Sequence, residues 1–558
     1  MPSAKNRKGH KLSILLSGIG VFILGLIVWQ FYKYRIVNRQ VNKAVAVKTK
    51  GLYSIRYEGL VIDEVGGRLH VTNIKIIPDT AVYNQLVKEK KNPSTLIKLT
   101  IPALDISGIK TPRALLNKEI EGGKVEIRDP VIEILVSPFK KDSTVYDPAT
   151  DLAGELLGKL LKIKIDSIVL VHAKVIVRNI PEQDNKPPNE PLFSANNVSC
   201  LLSDLLIDSV SGKDTSRILF SSSLEMEGEE MLLPLRNKKY ELQIGHLRFT
   251  SQDNSVYIGQ VKLIPRLSEE DFARSFPVQK DRYHFSLEGI SLRHIDRAAL
   301  WHKQLEADSL VIRESSFKIY RDLSQPRDTI SRVGKYPWQQ LMRLPIPVNI
   351  KKVLFVHSFV EYKEKNAKSD SAGKVQFFDA GATITHVTNM RSTISRNNEC
   401  VLSFRAKFLN KAPVDVRLVM LLRDPQGKFN MEGTIGAIDV SSLNGLTQPM
   451  GLARMEKGHI DQLHFNLTGS DSSSEGKVLL LYNGIKVSLL KKDREKNKYD
   501  KKGLASLLTG VILKKSNPES GRDARVAEVH FRRILNKSFF NLIWKTIFTG
   551  VKENVGIK

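Results

Sequence analysis

Twelve histidines and two cysteines are where chemistry would be sought first in this 558-residue chain, and their spacing forms no familiar constellation. A zinc peptidase sets two histidines four residues apart so that one helix face offers both to the metal. His459 and His464 stand five apart and miss that spacing. Ser211-Gly212-Lys213 is the nearest approach to a phosphate-cradling loop, but it lacks the glycine such a loop carries five residues before Gly212. No Gly-x-Ser-x-Gly elbow presents a nucleophilic serine. His172 and His357 occupy matching sequence contexts, yet both fall at bends, where a histidine serves as a surface turn residue. Asp129-Pro130 and Asp424-Pro425 are turn dipeptides, and Glu126 and Glu133 alternate with apolar neighbours and should face water. Cys200 and Cys400 are too few for a disulfide framework or a cysteine metal cluster, although the pair could form one bridge. No catalytic residue, metal ligand or cofactor is assigned, and the enzyme class is set aside.

The elements that would position a site begin with an apolar stretch, Leu12 to Tyr32, behind a basic tail of Lys5, Arg7, Lys8 and Lys11. At about 1.5 Å per residue it is long enough to cross a hydrocarbon core of roughly 30 Å. It ends in Trp29, Phe31, Tyr32, Lys33 and Tyr34, an aromatic and cationic belt suited to a membrane interface. Ala44-Val45-Ala46 resembles a cleavage site but lies too far downstream, so the segment reads as an uncleaved anchor. Residues 33–558 are then expected outside the cytoplasm, giving a single-pass inner-membrane protein whose bulk is periplasmic. The formal charge of +27 is spread along the chain, and no zinc-finger, RNP-type or helix-turn-helix pattern accompanies it. On an anchored protein such charge meets anionic lipid headgroups rather than nucleic acid. Hydrophobic residues at 41% and charged residues at 26% are globular proportions and exclude a disordered chain.

From about residue 55 apolar and polar residues alternate in short runs broken by Gly, Pro, Asn and Asp, the pattern of many strands with one buried face. Four runs, 123–134, 166–177, 308–319 and 351–362, align with apolar residues in four columns. The columns are Val125, Ile168, Leu310, Val353; Ile127, Leu170, Ile312, Phe355; Ile132, Val175, Phe317, Val360; and Ile134, Val177, Ile319, Tyr362. The second and third columns are five residues apart, so a bend or bulge near Asp129-Pro130 must restore the phase. Position 125 precedes 168 by 43, 310 precedes 353 by 43, and 125 precedes 310 by 185. Ile74–Pro78 resembles Val261–Pro265 at 187, and Leu192-Phe193 resembles Phe377-Phe378 at 185, which points to an internal duplication.

The expected organisation is a cytoplasmic tail (1–11), a transmembrane helix (12–32), a juxtamembrane segment (33–52), repeat unit one (53–239) and repeat unit two (240–425). A closing β segment (426–490), a basic linker region (491–537) and a C-terminal amphipathic helix (538–558) follow. Helices before the tail are expected only at Val82–Lys90 and Ala149–Leu161, and Gly503–Leu513 is a short apolar segment. Ser538 is placed to cap the last helix, whose Phe539, Phe540, Trp544 and Phe548 are candidates for touching a membrane or a partner, or else for packing back onto the sheet. The fold class is mostly β: an elongated, duplicated, mostly antiparallel sheet forming an apolar groove.

This order of features resembles the AsmA-like proteins of diderm bacterial envelopes. The resemblance rests on the anchor, the strand pair Gly67–Pro78, repeats of the Val125–Ile134 type, the block Gly458–Gly469 leading into Glu475–Val487, and a tail, Asn536–Gly550, similar to that of Bacteroidota members. It implies a β-groove ectodomain that supports the outer membrane by holding or conveying phospholipid. On that reading acyl chains lie against Val125, Ile127, Ile132, Ile134, Ile168, Leu170, Val175, Leu310, Ile312, Phe317, Val353 and Phe355. The partners would be the inner membrane, phospholipid and an envelope protein met at the last helix. The alternative is a non-catalytic scaffold whose β core closes on itself and whose C-terminal helix recruits that protein.

Overall fold

A computed structural model describes residues 49–63, 65–89, 92–93, 95–110, 118–136, 161–180, 190–211, 214, 216–235, 239–367, 371–493, 498–501 and 514–557. The expected anchor, nearly all of the helix expected at 149–161, Gly212-Lys213 and the apolar segment 503–513 lie outside those residues. Among the described residues no helix is long and apolar enough to cross a membrane. The protein is mostly β, with 59% of the described residues in strands and 13% in helices. It divides into two compact units, Met1–Gly259 and Gln260–Lys558.

The first unit opens with β1 (Tyr53–Arg56) and β2 (Gly59–Asp63), both antiparallel to β3 (Arg68–Pro78). Helix α1 (Thr80–Lys88) follows, capped by the Asp79 carboxylate, which accepts from the Ala81 and Val82 amides. Next come β4 (Thr95–Ser107), β5 (Glu119–Arg128), β6 (Val131–Val136) and β7 (Lys162–Asn179). Both β5 and β6 pair antiparallel with β4 and parallel with β7. β8 (Phe193–Asp208), β9 (Ser223–Pro234), β10 (Tyr240–Ile244) and β11 (Leu247–Thr250) extend the sheet. β12 (Ser255–Pro265), paired with β11, carries the chain into the second unit.

There, α2 (Glu269–Arg274), β13 (Asp281–Arg293), α3 (Arg297–Trp301) and β14 (Leu305–Asp322) lead through α4 (Pro337–Leu341) to β15 (Val348–Asn366). β14 and β15 are parallel, and the other described pairings of this unit are antiparallel. The sheet runs through β16 (Ser371–Thr388), α5 (Arg391–Ile394), β17 (Glu399–Phe408), β18 (Ala412–Leu421), β19 (Phe429–Ile435) and β20 (Ile438–Asp439). Then α6 (Asn444–Gly451), β21 (Ala453–Gly469), β22 (Ser473–Asp493), β23 (Lys498–Lys501), β24 (Val526–Arg532) and α7 (Phe539–Asn554) complete it. The stretch expected as a solvated linker is partly a hairpin, with Leu490–Asp493 paired to Lys498–Lys501.

The 43-residue offset has a direct physical meaning. Val125 pairs with Ile168, Ile127 with Leu170, Ile132 with Val175 and Ile134 with Val177, all in parallel register. Leu310–Val353, Ile312–Phe355, Phe317–Val360 and Ile319–Tyr362 repeat this in the second unit. Each aligned column is therefore a pair of touching cross-strand neighbours.

The phase break is equally physical. Asp129 between β5 and β6, His172 on β7 and Asn197 on β8 adopt left-handed backbone with φ of 50°, 52° and 49°. Asn73 on β3 does the same at 53°, and the β7–β8 pairing shifts register on both sides of Ala173. In the second unit His357 and Asp379 sit at φ 44° and 48°, with register shifts around Ser358. Asn, Asp and His are the side chains that tolerate this conformation best, which explains their placement in otherwise β-branched strands.

The first unit has one main buried cluster, and the second has three, beneath α7, beside α6 around Phe408 and Leu446, and around Val348, Ile350 and Val353. In the first, Tyr83 of α1 packs with Ile55, Leu69, Val71, Leu104 and Ile106. In the second, Phe539, Leu542, Ile543 and Ile547 of α7 lie on Val478, Ala527 and Val529, with Tyr336, Trp338 and Phe429 beside them. Gly550 lets the helix rest directly on Val478, where a Cβ would collide with that side chain. Arg533, whose side chain is 1% exposed, donates to Asp471 at 2.7 Å and stacks 4.5 Å from the Tyr336 ring centre, tying the β21–β22 turn to the α4 loop. Replacing Asp471 with Ala strands that guanidinium. The expected cost is about 3–5 kcal/mol in urea unfolding, and a loss below about 1 kcal/mol would show the bridge to be dispensable.

Candidate functional site

Directly opposed residues in a β-ladder share a face, so the registers trace which side chains form one surface. In the first unit one row runs Val71, Leu104, Ile127, Leu170, Cys200, Met226 and Phe249. A neighbouring row runs Leu69, Ile106, Val125, Ile168, Leu202 and Leu224. Beyond the line of left-handed residues, Ile55, Ile76, Leu99, Ile132, Val175 and Ala195 form a third. Ile134 and Val177 continue the apolar surface to Phe193.

Cover on these rows fades from one end to the other. Val71, Leu104 and Ile106 are at most 1% exposed, and so is Val125. Ile127, Ile132, Ile134, Ile168, Leu170 and Val175 are only half-buried, as are Leu202, Leu224, Met226 and Phe249. The core that includes α1 runs on into β5, β7 and β8 through Ile120, Val125, Ile163 and Leu205, and Ile127, Ile132 and Ile168 pack only at its margin.

The second unit repeats the arrangement with aromatic side chains. One row is Leu292, Leu310, Val353, Ile384, Leu402, Leu418, Met431 and Leu467. Another is Ile290, Ile312, Phe355, Ala382, Phe404, Val416, Gly433 and Phe465. A third, Phe285, Phe317, Val360, Phe377 and Phe408, lies past the bulges. Phe317 meets Phe285 edge-on at 5.3 Å and Phe355 at 6.0 Å. Val353 and Ile312 are 6% and 4% exposed, whereas Leu310, Phe317, Phe355, Ile384, Leu402 and Phe404 are half-buried. Toward the other end Leu418, Phe465 and Leu467 are sealed beneath α7.

The reverse face carries ion pairs among apolar neighbours such as Val169, Ile176 and Leu201. Glu133 pairs with Lys98 at 2.9 Å, and Glu126 lies between Lys124 and Arg128, whose hydrogen bonds hold its carboxyl below the usual range. His172 and His357 are exposed at the bends, 3.7 Å from Asp129 and 2.9 Å from Asp379. The His357 hydrogen bond is the main cause that lowers the Asp379 carboxyl. These are solvent-screened pairs at the bulges. Cys200 and Cys400 are both free, and burial pushes the Cys400 thiol up to about 11, which makes it a poor nucleophile. Among the described residues no group of His, Cys, Asp and Glu side chains is arranged to hold a metal.

The four C-terminal candidates separate. Phe539 points inward and is 7% exposed, because it packs against Tyr336, Trp338 and Phe429. Phe540, Trp544 and Phe548 stand on the outer face at 72%, 42% and 40%. The sequence alignment missed Cys200, Leu202, Met226, Ile384 and Leu402, since antiparallel neighbours lie at no constant offset in the chain. No protein-family model matches the chain, and no curated protein matches its sequence.

Leu104 and Leu170 occupy the same row, one sealed and one half-open. In lipid-free protein Leu104→Ala is expected to cost about 3 kcal/mol and Leu170→Ala about 1 kcal/mol. Equal costs in denaturant titration would show that the row is covered throughout.

Proposed function

We propose that the protein is an AsmA-like, membrane-anchored envelope protein that holds or conveys phospholipid against these apolar rows. The observation that carries this reading is the set of half-buried apolar side chains in these rows, Ile168, Leu170, Val175, Leu202 and Met226 in the first unit and Leu310, Phe317, Phe355, Ile384 and Leu402 in the second, opposite a face that carries ion pairs. An open apolar surface of this kind is costly in water, and an acyl chain laid on it gains about 0.8 kcal/mol per buried CH₂. The chemistry is passive: headgroups stay in water, chains lie across the strands, and no residue donates a proton or attacks a bond. The basic chain, with its formal charge of +27, suits anionic headgroups at the edges.

Residues 12–32 would tether the chain to the inner membrane and leave the β units in the periplasm. The phospholipid would then be held or passed within the envelope in support of the outer membrane.

A benzophenone amino acid placed in the full chain at Leu170 or Phe355 is expected to capture phospholipid on irradiation in an envelope-bearing host. The same group at Glu126 or Lys98, on the reverse face, should capture little. Equal capture from both faces, or none from Leu170 and Phe355, would refute lipid binding at the rows.

A further inference from the structure

Helix α7 has a second apolar surface that the core does not use. Phe540, Trp544 and Phe548 recur every fourth residue on its outer face, a stripe of about 12 Å along the axis. Trp544 and Phe548 stack with ring centres 5.7 Å apart and planes 15° from parallel, and the Lys552 ammonium lies 5.9 Å from the Phe548 ring.

The stripe continues onto two loops fixed beside the start of the helix. Leu535 and Ile330 are 56% and 59% exposed. The Arg332 amide donates to the Leu535 carbonyl at 2.7 Å, and Asn536 donates to the Asp328 carbonyl. The buried Arg533 guanidinium donates to the Arg332 carbonyl at 2.8 Å, so both loops hang from the Asp471 bridge. Five large apolar side chains are thus held outward on a rigid base, where single exposed ones would be unremarkable.

We infer that this patch is a docking surface for an anionic lipid membrane. Charge complementarity selects that occupant. Lys545 and Lys552 on the helix are answered there only by Glu553, and exposed Lys335 lies on an adjoining loop, where Arg332 is already paired with Asp281 and Lys537 is half-buried. Lys514, whose amide bonds the Val555 carbonyl, and Lys515 add cations at the other end. Aromatic rings flanked by lysines are the composition of a helix that lies in the headgroup region, rings down and ammonium groups among the phosphates. The surface is on the outside of the second unit and is separate from the apolar rows, so it stands or falls independently of lipid held there.

The test uses the full chain held in phosphatidylcholine nanodiscs and mixed with vesicles that contain phosphatidylglycerol or only phosphatidylcholine. Flotation should carry the native protein up with the anionic vesicles, less so at high salt, and not with the neutral ones. The triple variant Phe540→Ser/Trp544→Ser/Phe548→Ser should lose about tenfold or more of that capture. Lys545→Glu/Lys552→Glu, which leaves the aromatic surface intact, should also lose it, and both variants should melt like the native chain. Undiminished capture by either folded variant, equal capture by neutral vesicles, or no capture by the native chain overturns the proposal. So does a self-association of the native chain that the triple variant abolishes while vesicles are ignored, which would assign the patch to a second copy.

Discussion

A sheet that carries Val, Ile, Leu and Phe along one face loses roughly 25 cal/mol for every Å² of that face left in water, and each unit of this protein meets the demand unevenly. Near β1 to β4 the demand is met by α1 and its Tyr83; over β18 to β24 it is met by α7, Tyr336 and Trp338. In the first unit β7 to β9 keep the same apolar rows half-buried; in the second, α6 adds cover, its Leu446 and Met450 packing in one cluster with Phe377, Phe404 and Phe408, while Leu310, Phe317 and Phe355 stay half-buried. The aromatic rows of the second unit, with Phe285, Phe317 and Phe355 in edge-on contact, satisfy part of the requirement among themselves. The remainder is the physical basis for proposing a lipid as the missing layer.

The left-handed residues shape these rows as much as the apolar ones do. An unbroken strand would turn Ile132 and Val175 to the face opposite Ile127 and Leu170. Single residues at Asp129, His172 and Asn197, all with φ near 50°, bring them back, and His357 and Asp379 do so in the second unit. The same positions put exposed His–Asp pairs at the bends, which accounts for the recurrence of histidine there. A bulge needs a side chain that accepts positive φ and can be satisfied by a neighbour, and an acid or imidazole provides both.

Much of the β character was readable because period-two alternation survives in single strands, and the terminal helix was readable from Ser538 and its helical apolar spacing. Ser538 does cap α7, accepting from the Asn541 amide at 3.4 Å. The helix expected over Val82–Lys90 starts at Thr80, where Asp79 rather than the apolar pattern sets the boundary. Strand direction was not readable: the 43-residue offset looks the same whether it marks a copied sequence or two parallel strands in register, and β5–β7, β6–β7 and β14–β15 are parallel. Helices α2 to α6 are four to eight residues long, too short to display a period. The extent of the apolar rows was also hidden, because Cys200, Met226, Ile384 and Leu402 become neighbours of the aligned columns only through antiparallel pairing.

The most direct measurement is lipid analysis of residues 45–558 exported to a periplasm and purified without detergent. With the proposed anchor removed, phospholipid recovered in stoichiometric amount from folded protein, and lost when Leu170 and Phe355 are both changed to Asp in a variant that still folds, is the expected result. Folded native protein that carries no phospholipid would contradict lipid binding at the apolar rows and leave a sheet that closes on itself.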